Sequence, residues 1–110
     1  MHRGSEIRAL LERGQRERTG HLDVFFAPSL AVRSRLGLIV PKYGHKIVER
    51  NLVKRRLREI GRRLALPVLG ESGVSADFLV RAKPSAYGAE YTVLEAEIRT
   101  AVEAWCSEKV

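Results

Sequence analysis

The run Glu49-Arg50-Asn51-Leu52-Val53-Lys54-Arg55-Arg56-Leu57-Arg58-Glu59-Ile60-Gly61-Arg62-Arg63-Leu64 carries two different stripes at helical spacing. Val53, Leu57, Ile60 and Leu64 recur four, three and four residues apart, an apolar stripe able to pack on a sheet. Asn51, Lys54, Arg55, Arg58 and Arg62 stand at i, i+3, i+4, i+7 and i+11, and therefore share one face. A helix is expected over about residues 46–64, with one side serving its own core and the other pointing elsewhere. A helix of this kind needs a sheet to lie on.

The flanking sequence supplies one. Leu22-Asp23-Val24-Phe25-Phe26-Ala27 reads as a strand broken by Pro28-Ser29, and a second runs from about Arg33 to Val40 and stops at Pro41. Leu30 to Val32 belongs either to that second strand or to a short one of its own. Ala76-Asp77-Phe78-Leu79-Val80-Arg81-Ala82 is a further strand, ended by Lys83-Pro84. Ser5 is placed to cap a short first helix carrying Ile7, Leu10 and Leu11, and Gly14 to end it. Gln15 to Gly20 is polar and arginine-rich and reads as a loop. Pro67 and Gly70-Glu71-Ser72-Gly73 read as a linker. Leu94, Ile98, Ala101 and Trp105 mark a last helix over about residues 91–105. The order α-β-β-(β)-α-β-α predicts a small α+β sandwich, with residues 1–110 as one domain.

Composition narrows the function classes. The 110 residues are 45% hydrophobic and 30% charged, which suits a folded domain rather than a disordered chain. No apolar run is long enough to span a bilayer, and the N-terminus lacks the apolar region of a signal peptide. The lone Cys106 has no internal partner, which suits a reducing cytoplasm. No membrane association is expected.

Charge is more informative. The chain carries net +7, and the whole excess lies between Pro41 and Ala65, where nine Lys and Arg face only Glu49 and Glu59. A solvated charged face is the ordinary reading of a charge run. Here glutamates at four-residue spacing are nearly absent, so the stripe repels itself without an anion. A concentrated positive field suits a polyanion, because each neutralised phosphate releases counterions. Arginine forks match phosphate, and Asn51 donates and accepts toward sugars or base edges. Nucleic acid is the partner class these residues point to.

Three blocks in order carry a resemblance. Arg35-Leu36-Gly37-Leu38-Ile39-Val40-Pro41-Lys42, then Glu49 to Glu59, then Asp77 to Pro84 closely resemble the bacterial ribonuclease P protein subunit family. That family's hallmark is an Arg-Asn-Arg segment running into a basic helix, and here Leu52 takes the place of its second arginine. The resemblance implies a subunit that assists a catalytic RNA, which cleaves precursor tRNA with bound Mg²⁺. It implies a ribosomal-protein-like α+β fold with a left-handed crossover, working as a monomer in a 1:1 complex with ribonuclease P RNA. By motif, Arg50, Asn51, Lys54, Arg55, Arg58 and Arg62 are expected to meet the RNA subunit, with Arg56 or Arg62 substituting for the arginine that Leu52 replaces. A cleft for the single-stranded 5′ leader is expected to involve Phe25, Ile7 and Leu11 with Asn51, Lys54 and Arg58. Strand alternation puts Phe25 beside Asp23, away from the apolar Leu22, Val24 and Phe26, on a surface open for base stacking. Leu11 reads as core, and Ile7 suits either role.

Two other functions fit parts of the pattern. A ribosomal-type RNA-binding protein needs the same charge and fold. A DNA-binding protein with the basic helix in a major groove is weaker, since no short partner helix precedes it. His2, His21 and His45 are scattered, no metal-ligand spacing links them to Cys106, and no Ser/His/Asp or Cys/His arrangement suggests a nucleophile. No catalytic residue and no protein metal site is expected.

Overall fold

A computed structural model describes residues 4–29, 34–73 and 75–109. Its elements are α1 (Gly4–Arg13), β1 (Gln15–Arg18), β2 (Leu22–Pro28), β3 (Arg35–Ile39), α2 (Ile47–Ile60), α3 (Leu66–Ser72), β4 (Ala76–Ala82) and α4 (Tyr91–Lys109). The strands form one sheet in the order β1-β2-β4-β3. β4 is central: it pairs antiparallel with β2 (Phe26 opposite Phe78) and parallel with β3 (Leu38 opposite Val80). The parallel pair requires a long connection, which α2 and α3 provide.

One face of the sheet carries the main core. Leu22, Val24, Phe26, Phe78 and Val80 meet Val53, Leu57 and Ile60 of α2 and Leu94, Ile98, Ala101 and Trp105 of α4, all buried. The apolar stripes read from both helices thus point inward. Phe26 stacks on Trp105 at 5.3 Å and on Phe78 at 5.9 Å between ring centroids. On the opposite face a smaller cluster of Leu10, Phe25 and Leu79 is covered by α1, with Ile7, Leu11, Ala27 and Ile39 packed around it. The chain is therefore layered as α1, sheet, then α2 to α4.

Three expectations about elements change. Gln15–Arg18 is the edge strand β1 rather than a loop, paired with β2 from Gln15 opposite Phe26 to Arg18 opposite Asp23. Its alternate residues are half-buried and exposed, an edge pattern in which arginine and glutamate are tolerated because only one face needs covering. This strand precedes β2 and is not the one bracketed in the sequence order, which is Leu30–Val32. The alternative stretch Leu30–Val32, like Arg33, falls outside the described residues.

Secondly, the helix does not stop before Pro67. It passes from α2 through a wide π-type turn at Gly61–Ala65 into α3, with Pro67 directly after that turn, where the regular α-helical hydrogen-bond ladder is already interrupted. Gly73, at φ 75°, ends it. Thirdly, Ser5 lies inside α1 rather than capping it. Gly14 does follow the helix end, in a tight place. A Cβ there would stand 2.5 Å from the Leu10 carbonyl oxygen and 3.1 Å from that of Phe26.

Candidate nucleic-acid interface

The apolar stripe of α2 fixes where its other side points. With Val53, Leu57 and Ile60 buried, Asn51, Arg55, Arg58 and Arg62 are exposed and Lys54 is half-exposed. None of these five side chains makes an ion pair or hydrogen bond with another described residue. Arg55, Arg58, Arg62 and Arg63 line a shallow concavity of about 350 Å³ with Glu59, the sole carboxylate in its lining. That carboxylate is engaged by Arg63 at 3.1 Å. The remaining guanidinium groups face solvent with their charge uncompensated.

Two arginines of the same helix serve the fold. Arg50 Nε donates to the Val40 carbonyl at 2.7 Å, tying the first turn of α2 to the end of β3. Arg56 donates to the Ala89 carbonyl at 3.4 Å. Of the two residues expected to stand in for the arginine absent at Leu52, Arg62 is thus the free one. Leu52 itself is exposed.

The helix start is held from the side by a cluster that periodicity and charge do not reveal. Glu49 Oε1 accepts the Lys46 backbone N–H at 2.9 Å and Oε2 meets His45 Nδ1 at 3.0 Å. The Lys46 N–H and then His45 hold the Glu49 carboxyl below its usual range. His45 stacks on Tyr87 at 3.9 Å, and the Tyr87 hydroxyl donates to the Pro41 carbonyl at 2.6 Å. Tyr43 donates to the Ala82 carbonyl at 3.0 Å. The signal in the sequence is the Tyr43-Gly44 pair set between Lys42 and Lys46.

The leader-cleft expectation changes most. Phe25, read as open to solvent, is 2% exposed beneath α1. Arg16 and Arg81 bring their guanidinium carbons to 5.5 and 5.2 Å from its ring centroid. Asp23 is buried as well, its Oδ2 accepting from Arg16 at 2.9 Å and Arg81 at 3.2 Å. Alternation placed both residues on the correct face, but α1 and the Arg16 and Arg81 side chains cover that face. The ring therefore has a packing duty and offers no free surface for a base. Ile7 and Leu11 are half-buried around it. Asn51, Lys54 and Arg58 belong to a helix on the other side of the sheet, so the six expected cleft residues do not converge.

Beyond α1, Arg35 makes a bidentate pair with Asp77, Nε to Oδ1 at 2.8 Å and a terminal nitrogen to Oδ2 at 2.7 Å, and also meets Glu6 at 2.8 Å. The Arg35 hydrogen bonds hold the Asp77 carboxyl below its usual range.

A family model described as Ribonuclease P matches residues 1–105. The chain belongs to the ribonuclease P protein family. A relative in Thermus brockianus named ribonuclease P protein component is 40% identical over 93 residues, covering 84% of this chain and 52% of its own. One in Thermus thermophilus is 42% identical over 84 residues (76% and 46%), and one in an Arthrobacter species 46% over 70 (64% and 48%). The chain spans about half the length of these relatives. Solved RNase P proteins from Staphylococcus aureus and Thermotoga maritima share the fold. Their TM-scores are 0.77 and 0.76 at 18% and 20% identity, covering 94% and 90% of this chain and 92% and 90% of theirs. The residues that the resemblance assigns to RNA contact at Asn51, Lys54, Arg55 and Arg58 lie on the side of α2 that faces away from the core.

Proposed function

We propose that this chain is the protein subunit of a ribonuclease P ribonucleoprotein, binding the catalytic RNA and assisting 5′-end maturation of precursor tRNA. The observation that carries the reading is the uncompensated cationic face of α2. Like charges held a turn apart repel one another, and a phosphate backbone relieves that repulsion while releasing counterions. Asn51, Lys54, Arg55, Arg58 and Arg62 meet the RNA subunit directly. Arg50 contributes with the part of its guanidinium not engaged by Val40.

The leader of precursor tRNA passes along the α1 side of the β3 edge, where Ile7 and Leu11 are half-buried and Arg35 is accessible. Phe25 supports that surface from beneath. Bond cleavage belongs to the RNA subunit with its Mg²⁺. Asp23, Asp77 and Glu59 are each engaged by arginines. The working form is one protein per RNA in the cytoplasm. No helix among the described residues is long and apolar enough to cross a membrane.

The test is reconstitution. The purified chain is added to a bacterial ribonuclease P RNA and precursor tRNA at low Mg²⁺. A gain in 5′ processing is expected; RNA binding without any gain would favour a ribosomal-type RNA-binding protein instead.

A further inference from the structure

The described residues include five exposed large hydrophobic side chains, and four of them (Tyr43, Ile47, Val48 and Leu52) fall within ten residues. Apolar side chains scattered over a surface need no explanation, but a concentration does. This one lies among Lys42, Lys46, Arg55 and the tethered Arg50, at the start of the cationic helix.

Tyr43 is its distinctive member. Its φ is 48°, in the left-handed region that residues other than glycine adopt at a cost, and Gly44 follows at 82°. The surrounding contacts hold this conformation. The hydroxyl is anchored on Ala82, and the ring meets Tyr87 edge-on with centroids 6.4 Å apart. Tyr87 in turn is locked by the His45 stack and the Pro41 carbonyl. Despite these anchors Tyr43 remains 45% exposed. A strained turn thus holds an aromatic ring partly in solvent, between two lysines.

A duplex offers protein side chains mainly phosphate and sugar, for which exposed valine, leucine and tyrosine have little use. An unpaired nucleotide offers a π-face beside its phosphate, which an anchored ring flanked by cations can take up. We infer that the Lys42–Lys46 turn is a docking site for an unpaired RNA nucleotide, with the base on Tyr43 and the flanking phosphates on Lys42 and Lys46. The arginines further along α2 then follow the backbone. This inference rests on the RNA-binding reading above and adds the structure of the RNA segment recognised.

The test uses the full chain with a short single-stranded RNA carrying 2-aminopurine and with a duplex RNA of equal length. Replacing Tyr43 by leucine removes the π-face. It is expected to weaken single-stranded binding roughly five- to hundredfold, to abolish quenching of the 2-aminopurine, and to leave duplex affinity within about twofold. Tyr43→Phe keeps the ring, loses the bond to Ala82, and is expected to bind and quench nearly as the parent does. Equal losses for both RNAs, no loss for either, or a Phe variant as weak as the Leu variant would each overturn the stacking site. Arg55→Ala with Arg58→Ala separates the two levels. If that variant binds both RNAs as the parent does, the RNA-binding reading itself fails; if it weakens both while Tyr43→Leu changes neither, the docking site alone is refuted.

Discussion

Arg50 donates its Nε to the backbone carbonyl of Val40, 2.7 Å away, so one charged side chain joins the end of β3 to the first turn of α2. The bond holds the first turn of the cationic helix to the sheet on the same side as Val53 and Leu57. Arg50→Ala is expected to cost about 1.5–3 kcal/mol, the range for a hydrogen bond to a charged group. Arg50→Lys supplies charge without the same planar reach and should recover only part of it. Chemical denaturation of the three proteins checks this.

Phe25 is the second test of assignment. A phenylalanine buried between α1 and the sheet loses about 3–5 kcal/mol when cut to alanine. Phe25→Ala should therefore unfold at clearly lower denaturant, and any leader-selective loss of affinity should accompany that loss of stability. A variant of unchanged stability with a selective leader defect would restore the ring to the RNA surface.

These two residues mark how far the amino-acid sequence alone specifies the fold and the site. Periodicity found both faces of α2 and the inward stripe of α4, because burial of one face imposes the period, while β4 was legible to the residue from its apolar run and the Lys83-Pro84 stop. The same alternation put Phe25 and Asp23 on the correct side of β2. It did not show that this side was covered, since α1 is short and β1 is an edge strand made of Gln15, Arg16, Glu17 and Arg18, with no apolar pattern to detect. The continuation through Pro67 was hidden for another reason. Proline ends a helix in general, but here it falls at the start of a new helical segment after a π-type turn. Of the site, the cations on α2 were legible from spacing. The turn around Tyr43 was not, because its backbone strain and its bonds to Ala82 and Tyr87 join residues about forty positions apart.

Acid should weaken the fold through Asp23 and Asp77. Burial pushes the Asp23 carboxyl up, but the hydrogen bonds from Arg16 and Arg81 outweigh it and hold it below the usual range. At Asp77 the Arg35 hydrogen bonds lead and act in the same direction. A depressed folded value means stabilisation that is complete above the unfolded carboxylate value of about 3.9 and is lost as pH falls through the folded one. Melting temperatures should be level near neutrality and drop between roughly pH 5 and pH 2. The drop should be shallower in Asp23→Asn, measured against its own neutral value.

Glycines separate close approach from open space. At Gly14 the added Cβ of alanine meets two backbone carbonyls, which cannot rotate away, and Gly14→Ala should cost about 1–3 kcal/mol. At Gly61 the obstacle is the tip of the Leu36 side chain at 2.6 Å, which can move, so the cost should be smaller. Gly70 lies in α3 with nothing within 4 Å of the added carbon, and Gly70→Ala should stabilise by up to about 1 kcal/mol. Thermal melts of the three variants rank them.

The decisive measurement is affinity for a bacterial ribonuclease P RNA as a function of salt, for the parent chain and for Arg55→Ala with Arg58→Ala. If roughly five to seven cations meet phosphates, log affinity falls against log salt with a slope of about −3 to −6. Removing two of them should reduce that slope by about 1.5–2 while the melting temperature stays close to the parent's, because both side chains point away from the core. A parent slope near zero, or a double variant with the parent's slope, would contradict the assignment of this face to RNA.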